Sequence, residues 1–124
     1  MSVTEKSKFG TLGEKYASEF LISRNYAILG TNYQKPWGEI DIIAEKEGII
    51  VFVEVKANHK EIIGFEPELR VSRAKLKRIV RAARTYIIDK KCGPDQEWQI
   101  DIVAIIIDKE RKIAKIKHFK NIEV

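Results

Sequence analysis

Two runs rich in β-branched residues, 38–44 and 49–56, flank the pair Glu47 and Gly48 and constrain the fold more than any other stretch. Such runs around a glycine-containing turn predict an antiparallel hairpin. With the turn centred on this pair, Asp41 is expected to lie directly opposite Glu54. Opposed residues have Cβ atoms about 5 Å apart, and like charges placed there repel. A hairpin selected for stability alone would not pair these two carboxylates.

Side-chain alternation places four charged residues on one face of this hairpin: Glu39, Asp41, Glu54 and Lys56. A divalent cation would turn the repulsion into coordination, because hard cations prefer carboxylate oxygens. The same alternation puts Ile43 and Phe52 on this face at the turn end, where the first helix is expected to cover them. The other face is expected to be apolar and to carry Ile40, Ile42, Ala44, Val51, Val53 and Val55.

The composition indicates one globular domain over residues 1–124. The chain is 44% hydrophobic and 33% charged, which fits a single core. No apolar run approaches the roughly 20 residues that cross a bilayer, and the N-terminus carries no signal-peptide pattern. Cys92 is the single cysteine, which excludes an intramolecular disulfide and favours a reducing compartment. The expected location is the cytoplasm, with no membrane partner.

The net charge of +5 is concentrated in residues 70–91, which contain nine basic residues and one acid, Asp89. Two interpretations of this segment stay open. A basic segment on an otherwise slightly acidic protein is typical of a nucleic-acid-binding surface. Lysine and arginine are also good helix formers, so the segment is equally explained as a solvated helix face.

Hydrophobic periodicity predicts the element order αβββαββ. The helices are expected over 9–24 and 72–90, and the strands over 26–33, 38–44, 49–56, 98–107 and 111–119. Residues 1–8 are expected to be frayed, and 57–68 to form a loop. Thr11 is a candidate N-cap of the first helix, although a start near Ser7 is equally allowed. In the second helix the apolar residues are expected to face inward: Leu76, Ile79, Val80, Ala83, Tyr86 and Ile87.

Three residues have two interpretations each. Glu14 is either the acid of a capping box with Thr11 or a carboxylate that leans over the sheet edge toward the metal, and the pattern favours the first. Trp37 either caps the core or stacks on a base, and the first role is commoner. Asp101 is either an additional acid of the site or, more commonly for such a position, a partly exposed polar residue near a strand start.

Two close carboxylates and a lysine two residues after the second are the minimum groups for metal-dependent phosphodiester hydrolysis. Asp41 and Glu54 would bind Mg²⁺ or Mn²⁺, with the backbone carbonyl of Val55 as a further ligand. Lys56 would position water or stabilise the transition state as a point charge. The alternative is a cross-strand salt bridge between Glu39 and Lys56, with Asp41 merely exposed. That alternative leaves the opposition of Asp41 and Glu54 unexplained.

The acid at position 41, followed after twelve residues by Glu54-Val55-Lys56, resembles the signature of the restriction-endonuclease-like PD-(D/E)XK superfamily. Gly13-Glu14, residues 38–41 and 52–56, and Lys75 together resemble the YraN-type family of candidate bacterial endonucleases, which are similar to archaeal Holliday junction resolvases. The resemblance implies a restriction-endonuclease-like αβββαββ sandwich, with a mixed central sheet flanked by helices.

The resemblance also implies that Asp41, Glu54 and Lys56 form a catalytic core, that Glu14 is an accessory ligand, and that DNA is the substrate of a homodimer. The chain departs from the family pattern after Lys56, where a continuation with Arg or Ser is expected, and before Asp101, where an arginine is more usual. The basic residues of the second helix are the expected DNA contacts: Lys75, Lys77, Arg78, Arg81 and Arg84. Two alternatives remain, namely a catalytically silent nucleic-acid-binding module and a domain whose basic helix binds an acidic protein.

Overall fold

The computed structural model describes residues 3–59, 71–108, 110 and 113–124. Within these ranges the chain forms two helices and five strands in the predicted αβββαββ order. Their bounds are α1 Val3–Ser23, β1 Ala27–Lys35, β2 Gly38–Lys46, β3 Ile49–His59, α2 Arg73–Asp89, β4 Trp98–Asp108 and β5 Ile113–Phe119. Neither helix, as far as its residues are described, has the length and apolar character that a bilayer crossing requires.

The five strands form one mixed sheet in the order β1-β2-β3-β4-β5. Strands β3 and β4 are parallel, and the other neighbouring pairs are antiparallel. A parallel pair requires a crossover connection, and α2 lies in the segment that joins these two strands. The expected α/β fold with a mixed central sheet is therefore confirmed.

The two helices cover opposite faces of the sheet. On the α1 face, Ala17 and Leu21 pack on apolar strand residues: Ile42, Ala44, Val51, Val53, Val103, Ile105 and Ile107. On the α2 face, Leu76, Ile79 and Tyr86 pack on a second set: Ile40, Ile43, Ile50, Phe52, Ile100 and Ile102. The expectation that the first helix covers Ile43 and Phe52 was wrong. Alternation separates the two faces, but it does not determine which of two amphipathic helices lies on which face.

The hairpin turn has the predicted geometry. Glu47 (φ 52°) and Gly48 (φ 81°) both have positive φ, as a type I′ hairpin turn requires. The ladder runs from Lys46 opposite Ile49 to Ile42 opposite Val53, which confirms the predicted register up to that pair.

Side-chain alternation in β2 slips at Asp41, and this was not predicted. Ile40 was expected on the face of Ile42, but it packs with the α2 face, as does its partner Tyr33 on β1. Between the pairs Tyr33–Ile40 and Thr31–Ile42 lies Asn32, whose φ of 52° is left-handed. One residue in that conformation breaks the two-residue period of an extended strand.

The sequence predicted the start of α2 correctly but not the start of α1. Helix α1 begins at Val3 and includes residues 3–8, so the predictions of a frayed segment and of a Thr11 N-cap were wrong. Helix α2 begins as predicted, since the side chain of Ser72 accepts a hydrogen bond from the backbone N–H of Lys75 at 3.1 Å. The inward residues of α2 were mostly confirmed, although Val80 and Ile87 are half-buried and Ala82 is fully buried.

Strand β3 continues to His59, so residues 57–59 belong to a strand and not to the predicted loop. The rest of that predicted loop, residues 60–68, lies outside the described residues.

Candidate active site

The candidate site lies where β2 and β3 leave their ladder. Beyond the pair Ile42–Val53, Oδ2 of Asp41 accepts a hydrogen bond from the backbone N–H of Val55 at 2.8 Å. The Asp41 carboxylate thus bonds directly to the residue that follows Glu54. The two acids are neighbours, as predicted, and the side chain of Asp41 satisfies a backbone donor at the point where the strands diverge.

Asp41 and Glu54 are both buried, with 8% and 6% of their surfaces exposed. The pKa of Asp41 is raised from 3.8 to about 7, first by burial and then by the charge of Glu54, while the hydrogen bond from Val55 acts in the opposite direction. The prediction that these carboxylates repel each other is therefore consistent with the structure. Two anionic groups with little access to water form a site that favours a cation.

Lys75 joins this pair from α2. Its Nζ atom lies 2.6 Å from Oε1 of Glu54. Burial acts to lower the pKa of Lys75, but the hydrogen bond and charge of Glu54, with smaller contributions from Asp41 and Glu39, outweigh it and leave the pKa raised. Lys75 was predicted only as a DNA contact, yet its ammonium lies within the site. The Ser72 N-cap was the available signal, because it places Lys75 in the first turn of the helix after the β3 strand.

Glu14 approaches the same region from α1, on the other side of the sheet. Its Oε2 accepts a hydrogen bond from Nδ2 of Asn32 at 3.3 Å. Burial raises the pKa of Glu14; the Asn32 bond lowers it, and the charges of Glu39 and Glu54 raise it again. Because α1 begins at Val3, Glu14 lies in mid-helix and the capping-box interpretation was wrong. Its position fits the alternative, a carboxylate at the sheet edge beside the site.

Gly13 brings the helix that carries Glu14 close to the sheet. A Cβ atom at this position would lie 2.8 Å from Cβ of Ala57 on β3, which is closer than two carbons approach without displacement. The absence of a side chain therefore lets α1 rest on β3 next to Val55 and the acids. Gly13 was identified only through the family resemblance, and the close approach gives it a physical role.

Lys56 and Glu39 lie at the margin of the site. Lys56 is half-buried and follows Glu54 by two residues on β3, so both side chains leave the strand on the same face. Glu39 is exposed and accepts a long hydrogen bond from Nε2 of Gln34, at 3.5 Å. Its charge nevertheless acts on Asp41, Glu14 and Lys75. Glu39 therefore belongs to the electrostatic surroundings of the acid pair.

Within the described residues, no three His, Cys, Asp or Glu side chains are grouped so as to hold a metal ion. The acid pair is therefore the available side-chain donor set, and Glu14 stands beside it without completing a three-carboxylate cluster.

The basic residues of α2 divide between two directions. Lys75 and Arg78 point toward the β1–β2 turn and line a hollow there with Trp37 and Glu39. Lys77, Arg81 and Arg84 are exposed and line a second hollow with Ile88 and Val124. The guanidinium of Arg81 also lies 4.5 Å from the centre of the Trp37 ring, which is cation–π distance.

Asp101 has a different role from either predicted one. It is fully buried, with Oδ1 accepting from Gln99 and from the backbone N–H of Asn121, both at 2.8 Å, and Oδ2 lying 2.6 Å from Nε2 of His118. The expectation of a partly exposed residue was wrong. Because its partners lie on β4, on β5 and after β5, Asp101 holds the last strand and the segment behind it to the sheet. No acid of the candidate site is among these partners.

The chain matches the model of a protein family described as "Uncharacterised protein family UPF0102" over residues 13–105. It is 40% identical over 119 residues to a UPF0102 protein of Flavobacterium psychrophilum, covering 96% of both chains. It is 38% identical to one of Dictyoglomus thermophilum, covering 92% of this chain and 95% of the relative. A UPF0102 protein of Campylobacter fetus is 36% identical, covering 87% and 92%. The resemblance to the YraN-type family is thus confirmed at the level of the family, and the chain belongs to the uncharacterised protein family UPF0102.

Proposed function

We propose that this protein is a metal-dependent DNA endonuclease that hydrolyses phosphodiester bonds with Asp41, Glu54 and Lys56. The observation that carries the proposal is the buried acid pair at the divergence of β2 and β3, with Lys56 on the same face two residues further along. Phosphoryl transfer needs positive charge beside the phosphate and an activated water, and this arrangement is suited to supply both.

The residues present fit a hard divalent cation. Oδ2 of Asp41 accepts from the Val55 N–H and Oε1 of Glu54 pairs with Lys75, so the second oxygen of each carboxylate is the candidate metal ligand. The backbone carbonyl of Val55 is a third candidate ligand. Mg²⁺ is commonly bound by one or two carboxylates and keeps several waters, so two acids are a sufficient set. Mn²⁺ has similar ligand preferences.

The bound metal would supply Lewis-acid stabilisation of the phosphate and a lowered pKa of a bound water. Lys56, as a point charge on the face of Glu54, would stabilise the charge that develops on the phosphate or position the attacking water. Lys75 holds one oxygen of Glu54 in place. Glu14, held by Asn32, is an accessory carboxylate that would act on the metal through water or directly.

The outward face of α2 would hold the DNA backbone. Lys77, Arg81 and Arg84 are exposed on the same helix that delivers Lys75 to Glu54. A DNA strand whose phosphates bind along this face would therefore reach the acid pair. Contacts of this kind position the substrate without reading its sequence. A homodimer and a cytoplasmic location stay predictions from the sequence.

A second candidate function is a nucleic-acid-binding module that does not cut. The ion pair between Lys75 and Glu54 favours it, because an ammonium 2.6 Å from one acid already neutralises part of the charge that a metal would neutralise.

A cleavage assay decides between the two. The substrates are duplex, single-stranded, flap and four-way-junction DNA, each with Mg²⁺, Mn²⁺ or Ca²⁺. Endonucleolytic cleavage with Mg²⁺ or Mn²⁺ is expected, favouring branched or single-stranded forms, because a chain of 124 residues has little material for base-reading elements. Ca²⁺ is expected to support binding without hydrolysis, since its looser coordination replaces Mg²⁺ poorly.

Two variants control this assay. Lys56→Ala is expected to bind metal and DNA but not to cut, whereas Glu54→Ala is expected to lose metal binding as well. Activity that survives in both variants belongs to a contaminant and overturns the proposal. Binding of DNA by the wild-type protein with no cleavage of any substrate in Mn²⁺ makes the non-cutting module the better interpretation. Absence of salt-dependent DNA binding would instead favour a domain whose basic helix binds an acidic protein.

A further inference from the structure

A hollow of about 420 Å³ lies between the β1–β2 turn and the N-terminal half of α2. Its walls are residues 34–39 on one side and Lys75, Arg78 and Ile79 on the other. The two walls meet closely, because a Cβ atom at Gly38 would lie 2.7 Å from the backbone oxygen of Arg78. Backbone packing therefore shapes the hollow before any ligand binds, and its volume falls in the range of small-ligand sites, roughly 300–1,000 Å³.

The lining of the hollow carries an excess of positive charge. Three cations, Lys35, Lys75 and Arg78, face one acid, Glu39. Lys35 is paired with Asp89 at 3.4 Å and Lys75 with Glu54 at 2.6 Å. Arg78 makes no ion pair within the described ranges, so its planar guanidinium is the cation best placed to take an anion. Guanidinium groups bind phosphate oxygens in a bidentate manner.

Trp37 supplies a flat apolar wall. The ring is half-buried, and Arg81 lies over it at 4.5 Å. Its Nε1–H is buried without an acceptor among the described residues. Buried donors without partners are uncommon and cost free energy. Because this nitrogen is buried, the ring offers a ligand its flat apolar surface rather than this N–H.

The hollow adjoins the acid pair through residues that belong to both. Lys75 lines it and holds Glu54, and Glu39 lines it and raises the pKa of Asp41. A ligand in the hollow would therefore lie directly beside a phosphate group bound at Asp41 and Glu54. A flat aromatic wall and a guanidinium that makes no ion pair within the described part of the chain together match the base and phosphate of one nucleotide.

We infer that this hollow binds a single unpaired nucleotide adjacent to the scissile phosphate, with its phosphate on Arg78 and its base against Trp37. The inference rests on the proposed function only in taking the adjacent phosphate to be the one that is cleaved. A base within a duplex cannot enter such a hollow unless it leaves the stack. The substrate class is then DNA that is single-stranded or splayed beside the cleavage position.

Tryptophan fluorescence tests this binding without any cleavage. The chain has two tryptophans, and Trp98 lines a separate hollow with Ile122 and Val124. In Trp98→Phe protein, Trp37 is the only reporter. Titration with pentathymidylate in EDTA is expected to change its emission in a saturable way. In Trp37→Phe protein, where Trp98 reports, the same titration is expected to change little.

Variants of Arg78 identify the anion contact. In the Trp98→Phe background, Arg78→Gln is expected to weaken pentathymidylate binding about tenfold, and Arg78→Lys by less. The matched control is Arg24→Gln, which removes an exposed arginine beside Phe20 at the end of α1 and is expected to bind as the parent does. Thermal unfolding of each variant verifies that it is folded. Unchanged affinity in folded Arg78→Gln overturns the phosphate assignment.

A blunt duplex long enough to stay paired at the assay temperature separates the unpaired-nucleotide claim from general DNA binding. It is expected to leave Trp37 emission unchanged at concentrations that saturate with the single strand. An equal response to both overturns the claim. If the wild-type protein cuts DNA while Trp37 stays silent, this inference fails and the proposed nuclease stands. If Trp37 responds while nothing is cut, the nuclease fails and the nucleotide site remains.

Discussion

Nζ of Lys75, on the helix that covers one face of the sheet, lies 2.6 Å from Oε1 of the buried Glu54 on β3. The Lys75 ammonium group and a bound metal ion would compete for this carboxylate. Lys75→Ala is therefore expected to lower the melting temperature in EDTA, because it leaves a buried acid without its partner. It is also expected to raise the affinity for Mn²⁺ a few-fold, on the order of the 0.5–1 kcal/mol typical of a partly exposed ion pair.

The matched control for this change is Lys77→Ala, two residues along the same helix and exposed. Calorimetric titration of Mn²⁺ is expected to give the wild-type affinity for it. Weaker Mn²⁺ binding in Lys75→Ala than in Lys77→Ala would mean that the lysine supports the metal site rather than competing with it.

Metal binding itself is expected to stabilise the fold. Millimolar Mn²⁺ or Mg²⁺ should raise the melting temperature, since a ligand that binds only the folded state stabilises it, by about 1.4 kcal/mol at ten times its dissociation constant. Glu54→Ala is expected to abolish the rise, and Glu39→Ala, an exposed neighbour, to retain it. A rise that persists in Glu54→Ala would place the metal elsewhere.

The pH dependence of stability follows from Asp41, whose pKa is raised from 3.8 to about 7 by burial and by Glu54. Between these values the folded carboxyl keeps a proton that the unfolded one has released. In EDTA the free energy of unfolding is therefore expected to fall as pH rises from about 4 to about 7, by at most about 4 kcal/mol.

Asp41→Asn is expected to flatten this slope and to stabilise the metal-free protein above pH 7, because an amide oxygen can still accept from Val55 N–H without the charge. Glu45→Gln, an exposed acid on the same strand, should keep the wild-type slope. Urea unfolding across this pH range measures both. Strong destabilisation by Asp41→Asn at pH 8 would contradict the assignment.

Alanine substitutions at two glycines of α1 are expected to change the stability of the protein in opposite directions. A Cβ atom added at Gly10 would have no atom within 4 Å, whereas a Cβ atom added at Gly13 would lie 2.8 Å from Cβ of Ala57. Gly10→Ala should stabilise the protein by up to about 1 kcal/mol through helix propensity. Gly13→Ala should destabilise it by about 1–2 kcal/mol, because overpacking outweighs the same gain. Urea midpoints give both values, and equal stabilisation would show that α1 does not rest closely on β3.

The outward face of α2 is expected to bind DNA phosphates. Lys77→Ala and Arg84→Ala should each weaken binding similarly across DNA sequences and reduce the salt dependence of log K by about 1. Arg24→Ala, at the end of α1, serves as the control and should leave the slope unchanged. Fluorescence anisotropy at several salt concentrations measures these slopes. A loss confined to particular base sequences would show base readout instead.

Much of the architecture was predictable because it depends on local patterns. Periods of two and 3.6 residues defined the strands and helices, and the Glu47–Gly48 turn set the register that pairs Ile42 with Val53. The N-cap at Ser72 was likewise a local signal. The errors arose where one element meets another. The face covered by each helix and the burial of Asp101 depend on contacts between segments distant in sequence.

The sequence by itself determined the order of elements and the proximity of Asp41 and Glu54, because a two-residue turn sets the register of the hairpin that carries both. Only the tertiary structure decided what surrounds them. Lys75 and Glu14 come from helices on opposite faces of the sheet, and the alternation of β2 slips beside Asn32 of β1, so that Ile40 and Ile42 pack on opposite faces. The physical reason is that local periodicity specifies which side of an element is apolar, whereas packing between elements specifies what that side meets.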